Sequence, residues 1–151
     1  MKVKLSSDEV PMMNVDLIFV PVMAHMMLIF MLYIYLGVMK SRAVKEGSVD
    51  RKKAALNTKA WPDYVVTVSN NLANQFESPI IFYTLSIVYF ITSNVNGIII
   101  MLMSIYALSR YIHAYIHVTT NYVPYRFKCF LFGVVILLAL TIWLMLKFIG
   151  V

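Results

Sequence analysis

The stretch Ser69-Asn70-Asn71-Leu72-Ala73-Asn74-Gln75-Phe76-Glu77-Ser78-Pro79 puts amides and one carboxylate into a run that otherwise reads as a membrane-spanning helix. At roughly 100° per residue, Asn70, Asn74 and Glu77 fall within about 60° of one another and form one polar stripe. An ionisable side chain at membrane depth costs at least ~2.5 kcal/mol, so the stripe is expected to face a protein interior or a wet cavity and to mark a functional site. Amides also glue transmembrane helices together, which is the structural reading of a single asparagine. Three polar groups on one face favour a binding site.

Composition sets the context of that stripe. The chain has 151 residues, 61% hydrophobic and only 13% charged, with a mean hydropathy of +0.77. A soluble chain carries closer to ~25% charged residues, so the sequence is read as an integral membrane protein. Its length gives room for four spans and little else. Outward from the stripe, the second helix is expected from about 63 to 91, with Pro79 removing one backbone hydrogen bond and kinking it. The other spans are expected at about 12–39, 98–118 and 124–147. The first exceeds the apolar core of a signal peptide and is read as a retained helix; His25 within it is read as a packing or hydrogen-bonding residue. Residues 1–10, polar and mixed in charge, read as a short tail.

Between the first two spans, Lys40, Arg42, Lys45, Arg51, Lys52, Lys53 and Lys59 stand against Glu46, Asp50 and Asp63. This basic loop, 40–63, explains much of the net charge of +6. Basic residues gathered in loops beside apolar spans are topology signals rather than a nucleic-acid surface. With Arg126 and Lys128 beside the third connection and no charge in the second, the first and third loops are expected to be cytoplasmic and both termini to lie on the other side. Thr92-Ser93-Asn94-Val95-Asn96-Gly97 is short and rich in turn formers, which makes the second and third helices antiparallel neighbours. Cys129 is the only cysteine, so no intrachain disulfide forms.

A second polar stripe lies on the third helix, where Tyr106, Arg110, His113 and His117 fall within about 60°. The start of helix two, the end of helix three and the start of helix four then meet at one end of the bundle. The candidate set comprises the cations Arg110 and Arg126, the titratable His113 and His117, the amides Asn70 and Asn74, and Glu77. Arginine recognises carboxylates in a planar, bidentate fashion, and a positive charge beside a thiol favours the thiolate. The set suits a small ligand bearing carboxylates and an ammonium group. His113 and His117 have zinc-compatible spacing, but no HExxH pattern or nearby cysteine supports a metal. No phosphate-cradling glycine loop or nucleophile elbow occurs.

Asn74-Gln75-Phe76-Glu77-Ser78-Pro79, Arg110-Tyr111-Ile112-His113 and Tyr125-Arg126-Phe127 with Gly133 resemble the MAPEG family, the membrane-associated proteins in eicosanoid and glutathione metabolism, over roughly residues 14–148. The likeness is nearest to bacterial members and implies an inner-membrane protein. It implies an all-α four-helix membrane bundle assembled as a homotrimer. Glutathione would enter as cosubstrate in clefts between subunits near the cytoplasmic side, and a lipophilic electrophile or hydroperoxide would arrive through the bilayer. By the family motif, Asn74 and Glu77 bind glutathione, Arg110 and His113 line the cleft, and Arg126 stabilises the thiolate. The chain departs from the family pattern at Asn70 and Ala73, where several enzymes carry arginine, at His117, often tyrosine, and at Phe127. Two other classes fit the residues: a non-catalytic lipid-binding or scaffold member of the same fold, and a small proton-coupled transporter using Glu77.

Overall fold

A computed structural model describes residues 14–150. The polar tail at 1–10 and the first residues of the span expected from position 12 lie outside the described residues. All regular structure among the described residues is helical. A 3-10 turn, Val15–Ile18, leads into α1, Phe19–Lys45; then follow α2, Arg51–Leu56, a second 3-10 turn at Thr58–Ala60, α3, Asp63–Asn74, α4, Pro79–Ile91, α5, Gly97–Val118, and α6, Val123–Phe148.

Three segments are long and apolar enough to cross a bilayer: Val15–Lys45, Gly97–Val118 and Val123–Phe148. The 27 residues of α1 rise about 40 Å at 1.5 Å each, some ~10 Å more than a hydrocarbon core. Its last turns carry Lys40, Arg42 and Lys45, the charges that suit the end of the helix outside an apolar layer. The basic segment is accordingly not one loop: α1 continues into it to Lys45, Gly47 turns the chain at a φ of 65°, and Asp50 caps α2 by accepting from the amides of Lys52 and Lys53. Arg42 Nε donates to Glu46 Oε1 at 2.7 Å, and the Tyr64 hydroxyl donates to Glu46 Oε2 at 3.2 Å. These bonds tie the end of α1 to the start of α3, and they hold the Glu46 carboxyl below the usual carboxylate range, chiefly through the hydrogen bond from Arg42.

The helix expected over 63–91 is two helices. Pro79 has no N–H to give the Gln75 carbonyl, and its ring clashes with it. The chain unwinds across Gln75–Ser78 and restarts with Pro79 in the first turn of α4, where a missing N–H costs nothing. With 12 and 13 residues, neither α3 nor α4 alone reaches across a ~30 Å core.

Packing follows the registers. Asn71 meets the Ala114 carbonyl and Arg110 meets the Asn74 carbonyl, so α3 runs antiparallel to α5. The start of α3, the end of α5, the start of α6 and the end of α1 thus share one end of the bundle. α5 packs along α6, where Gly133 permits close approach: a Cβ there would lie 3.2 Å from Ser109 Oγ and 3.3 Å from Tyr106 Cε2. Phe82, Tyr89, Ile99, Met103, Tyr106 and Leu140 form the apolar core. Val20, Met27, Ile34, Leu108, Leu131, Leu138 and Ile142 are among many exposed large apolar side chains. A belt of that extent is an aggregation surface in water and a lipid-facing surface in a bilayer.

Candidate functional site

The helix break builds the first part of the site. Unwinding at Gln75–Ser78 frees backbone carbonyls that water cannot reach, and irregular backbone at membrane depth persists only when protein re-satisfies it. Arg110, reaching across from α5 and almost fully buried, donates from Nη2 to the freed Asn74 carbonyl at 3.0 Å. Its Nε and Nη2 also donate to Gln75 Oε1, each at 3.3 Å. The cation sits at the C-terminal end of α3, where the helix dipole is negative, and this offsets part of the cost of burying it. No carboxylate lies within 4.0 Å of it: the only ion pairs among the described residues are Arg42–Glu46 and Lys53–Asp50.

Gln75 is the hub of a hydrogen-bonded chain whose directions are fixed by elimination. Carbonyls only accept, so Asn71 Nδ2 donates to the Ala114 carbonyl at 3.2 Å and Asn71 Oδ1 faces Gln75. Gln75 Nε2 donates to Asn71 Oδ1 and to the Asn71 carbonyl, both at 3.1 Å. Its Oε1 then accepts from Arg110 and, at 3.2 Å, from His25 Nε2. His25 is thereby the Nε2–H tautomer, and its Nδ1 accepts from the Tyr83 hydroxyl at 2.6 Å. Helices α1, α3, α4 and α5 are stitched together at one level.

The second part lies nearer the end of the bundle that carries the basic segment. His113 Nδ1 donates to the Arg126 carbonyl at 3.1 Å, which leaves Nε2 as a bare acceptor. The rings of His113 and His117 meet edge-on, 5.9 Å apart, and Phe130 closes against His113 at 6.3 Å. Arg126 donates from Nη1 to Asn121 Oδ1. Four buried polar atoms of this cluster have no protein partner: His113 Nε2, both ring nitrogens of His117, and Arg126 Nε. Buried polar groups in folded proteins are nearly always paired, and these four belong to three residues linked by the His113–His117 ring contact and the His113–Arg126 main-chain bond.

The expected site residues thus divide. His113, His117 and Arg126 come together with unspent hydrogen-bonding capacity. Arg110 lies deeper and is bonded to Asn74 and Gln75. Asn70 and Glu77 are exposed on the outside of the chain and Asn74 is half-buried, so the stripe expected to face an interior points away from the chain's own core. Glu77 is not in α3 at all, because the break removes it from the helical phase of Asn70. The residues that face inward are Asn71 and Gln75, which the stripe arithmetic passed over. They continue the buried row Val65, Val68, Leu72, and polar residues set at helical spacing inside an apolar row were the available signal. His25, expected as a packing or hydrogen-bonding residue, is an internal member of the network.

On the opposite flank, α1 and α4 border a groove of about 530 Å³ lined by Phe19, Met26, Phe30, Phe76, Tyr83 and Ile87 among others. Its only polar lining residues among the described ones are Tyr33, Tyr83 and Ser86, and its walls are almost wholly apolar.

A broken helix held by a buried arginine, three bilayer-length helices and a cluster of open cationic and imidazole groups at one end define a polytopic helical membrane protein with a polar site sunk into its helices. The sequence model of the MAPEG family matches residues 18–146, and the chain belongs to that family. No curated protein and no solved structure shows significant similarity to it.

Proposed function

We propose that the protein is a membrane-bound glutathione-dependent transferase or peroxidase acting on lipophilic electrophiles or hydroperoxides. The observation that carries this reading is the cluster His113, His117 and Arg126, with four buried, unpartnered atoms and no ion pair to an acidic side chain among the described residues. A guanidinium and two imidazoles left open call for an anionic, hydrogen-bonding ligand, and glutathione brings two carboxylates and a thiol. Arg126 Nε–H is the donor free to hold a thiolate, which a neighbouring cation favours. The charged cosubstrate enters from water at that end of the bundle, and the apolar reactant comes through the lipid.

The outward face of α3 supports assembly. Ser69, Asn70 and Ala73 lie on it, with Glu77 beyond the break, exposed or half-exposed at membrane depth. Polar groups there need a protein partner, and small residues let a second helix approach closely. A homotrimer in which Asn70, Asn74 and Glu77 of one copy face the His113–Arg126 end of a neighbour covers them and supplies an acid for the glutathione ammonium. α3 and α4 in series are then the second of four crossings, with the basic segment on the cytoplasmic side. Transport through Glu77 is disfavoured, because that carboxylate lies outside the chain's own core.

The test is calorimetric titration of detergent-purified protein with glutathione, paired with turnover of an aryl halide and of a lipid hydroperoxide, for wild type and Arg126→Ala. Saturable binding with turnover that falls at least ~100-fold in the variant, the scale of removing one charge-stabilising donor, is expected. Absence of binding at millimolar glutathione would sink the proposal and leave the non-catalytic lipid-binding or scaffold reading.

A further inference from the structure

Resting on the reading of the cluster as a thiol site, we infer that His113 Nε2 takes the proton from the thiol, so that the thiolate forms with its proton kept inside the protein. The geometry is that of an oriented base. The Arg126 carbonyl accepts from Nδ1–H at 3.1 Å, which fixes the ring and its tautomer and leaves the Nε2 lone pair buried, unpartnered and available. A nucleophile's base that is itself held by a third group is the recurrent arrangement in thiol and hydroxyl activation. Here Arg126 would serve both partners: its main chain orients the base, and its side-chain Nε–H, also buried and unpartnered, is the donor left for the developing anion. The step balances. The S–H bond breaks, its electron pair stays on sulfur beside the guanidinium, and the proton converts His113 to an imidazolium donating from both nitrogens. After sulfur attacks an electrophile, that proton is available to the leaving group or to the alkoxide formed from a peroxide.

The groups facing His113 are His117 and Arg110 from its own helix and Arg126 and Phe130 from α6; α1 and α3 bring no charge to it. With no carboxylate to steady an imidazolium, the thiolate formed in the same step is its counter-ion. His117, whose ring lies edge-on to His113, has no group orienting it and is the weaker choice of base.

The discriminating quantity is the number of protons released to buffer per thiolate formed. Glutathione would be titrated into the wild-type protein in buffers of different ionisation enthalpy at pH 7, while thiolate is counted from its ultraviolet absorbance. A base within the site gives a release near zero; an arginine acting alone sends about one proton per thiolate into solution. His113→Gln keeps an N–H able to bond the Arg126 carbonyl but cannot take a proton, and its release is expected to rise toward one per thiolate, or the thiolate signal to disappear while binding persists. Release of about one proton by wild type, with binding and thiolate intact, overturns the role of His113 and leaves the glutathione site standing. No binding and no thiolate in wild type overturns both. The wild-type count needs no variant, so poor folding of His113→Gln does not rescue the idea.

Discussion

Replacing Gln75 with Leu keeps the side-chain volume close and removes the amide on which five hydrogen bonds converge. Three buried groups lose their partner: the Arg110 guanidinium keeps only the Asn74 carbonyl, His25 Nε2–H points at a methyl, and Asn71 Oδ1 receives nothing. Two scales bracket the cost. Orphaning a buried polar group costs ~1–3 kcal/mol, more for a charge, which puts the loss at roughly 4–8 kcal/mol. Hydrogen bonds between transmembrane helices average only ~0.6 kcal/mol, because the unfolded chain in a bilayer finds other partners, and five of them amount to about 3 kcal/mol. The lower figure suits the neutral pairs. Arg110 pushes the total above it, since a guanidinium at this depth finds few alternatives. We expect a loss of about 4 kcal/mol, read as unfolding free energy in mixed micelles, with Asn70→Leu on the outer face of the same helix as the comparison. Thiol-alkylation of single-cysteine variants at positions 76 and 78 should rise in parallel, because the break loses its clamp. A loss under about 1 kcal/mol, no more than an average single contact, would refute the view that Gln75 holds the break together.

Gly133→Ala forces a methyl to within 3.2 Å of Ser109 Oγ and 3.3 Å of Tyr106 Cε2; overpacking of this kind costs ~1–3 kcal/mol, and Ser109→Ala in the same chain should recover part of it in the same unfolding assay. Tyr89→Phe removes the 2.6 Å bond to the Leu140 carbonyl and should cost about 1 kcal/mol, the usual net worth of a neutral hydrogen bond. Glu46 has a depressed folded-state pKa, so its tether to Arg42 and Tyr64 is fully present above the ordinary carboxylate range and is lost as pH falls through the lowered value; because the pair is exposed the effect on stability is small, and the check is an NMR titration in which Arg42→Ala moves the Glu46 midpoint upward. An unmoved midpoint would assign the depression to something other than Arg42.

How much of this could be read in advance differs from residue to residue. The helical content and the family followed from apolar runs and from motifs that are local in sequence, such as Arg110-Tyr111-Ile112-His113. The grouping of His113, His117 and Arg126 followed from helical spacing plus a four-residue connection, since so short a link forces the end of α5 against the start of α6. The orientation of α3 did not follow. Its polar residues occupy two faces, Asn70 with Asn74 and Asn71 with Gln75, and periodicity cannot say which one turns inward. That depends on what waits on α1 and α5, namely His25 and Arg110. Glu77 was misplaced for a related reason: arithmetic over 63–91 assumes one continuous helix, and Pro79 ends that continuity four residues earlier, at Gln75.

The two arginines of the family motif are used differently, and the cause lies in that same proline. Pro79 opens the backbone at membrane depth, and the opened carbonyl of Asn74 must be bonded by something other than water. Arg110 meets that need and is itself held by the α3 terminus and Gln75, so most of its hydrogen-bonding capacity is committed before any ligand arrives. Arg126 follows Pro124 in the first turns of α6, where the helix has no broken partner to satisfy, and its Nε remains open beside two imidazoles. In the proposed function position and charge are therefore divided: Arg110 holds the broken helix, while Arg126 is left to meet an anionic ligand. Exchanging either for lysine should separate the roles, because a point charge replaces Arg126 in part but cannot bond Asn74 and Gln75 together as the guanidinium fork does.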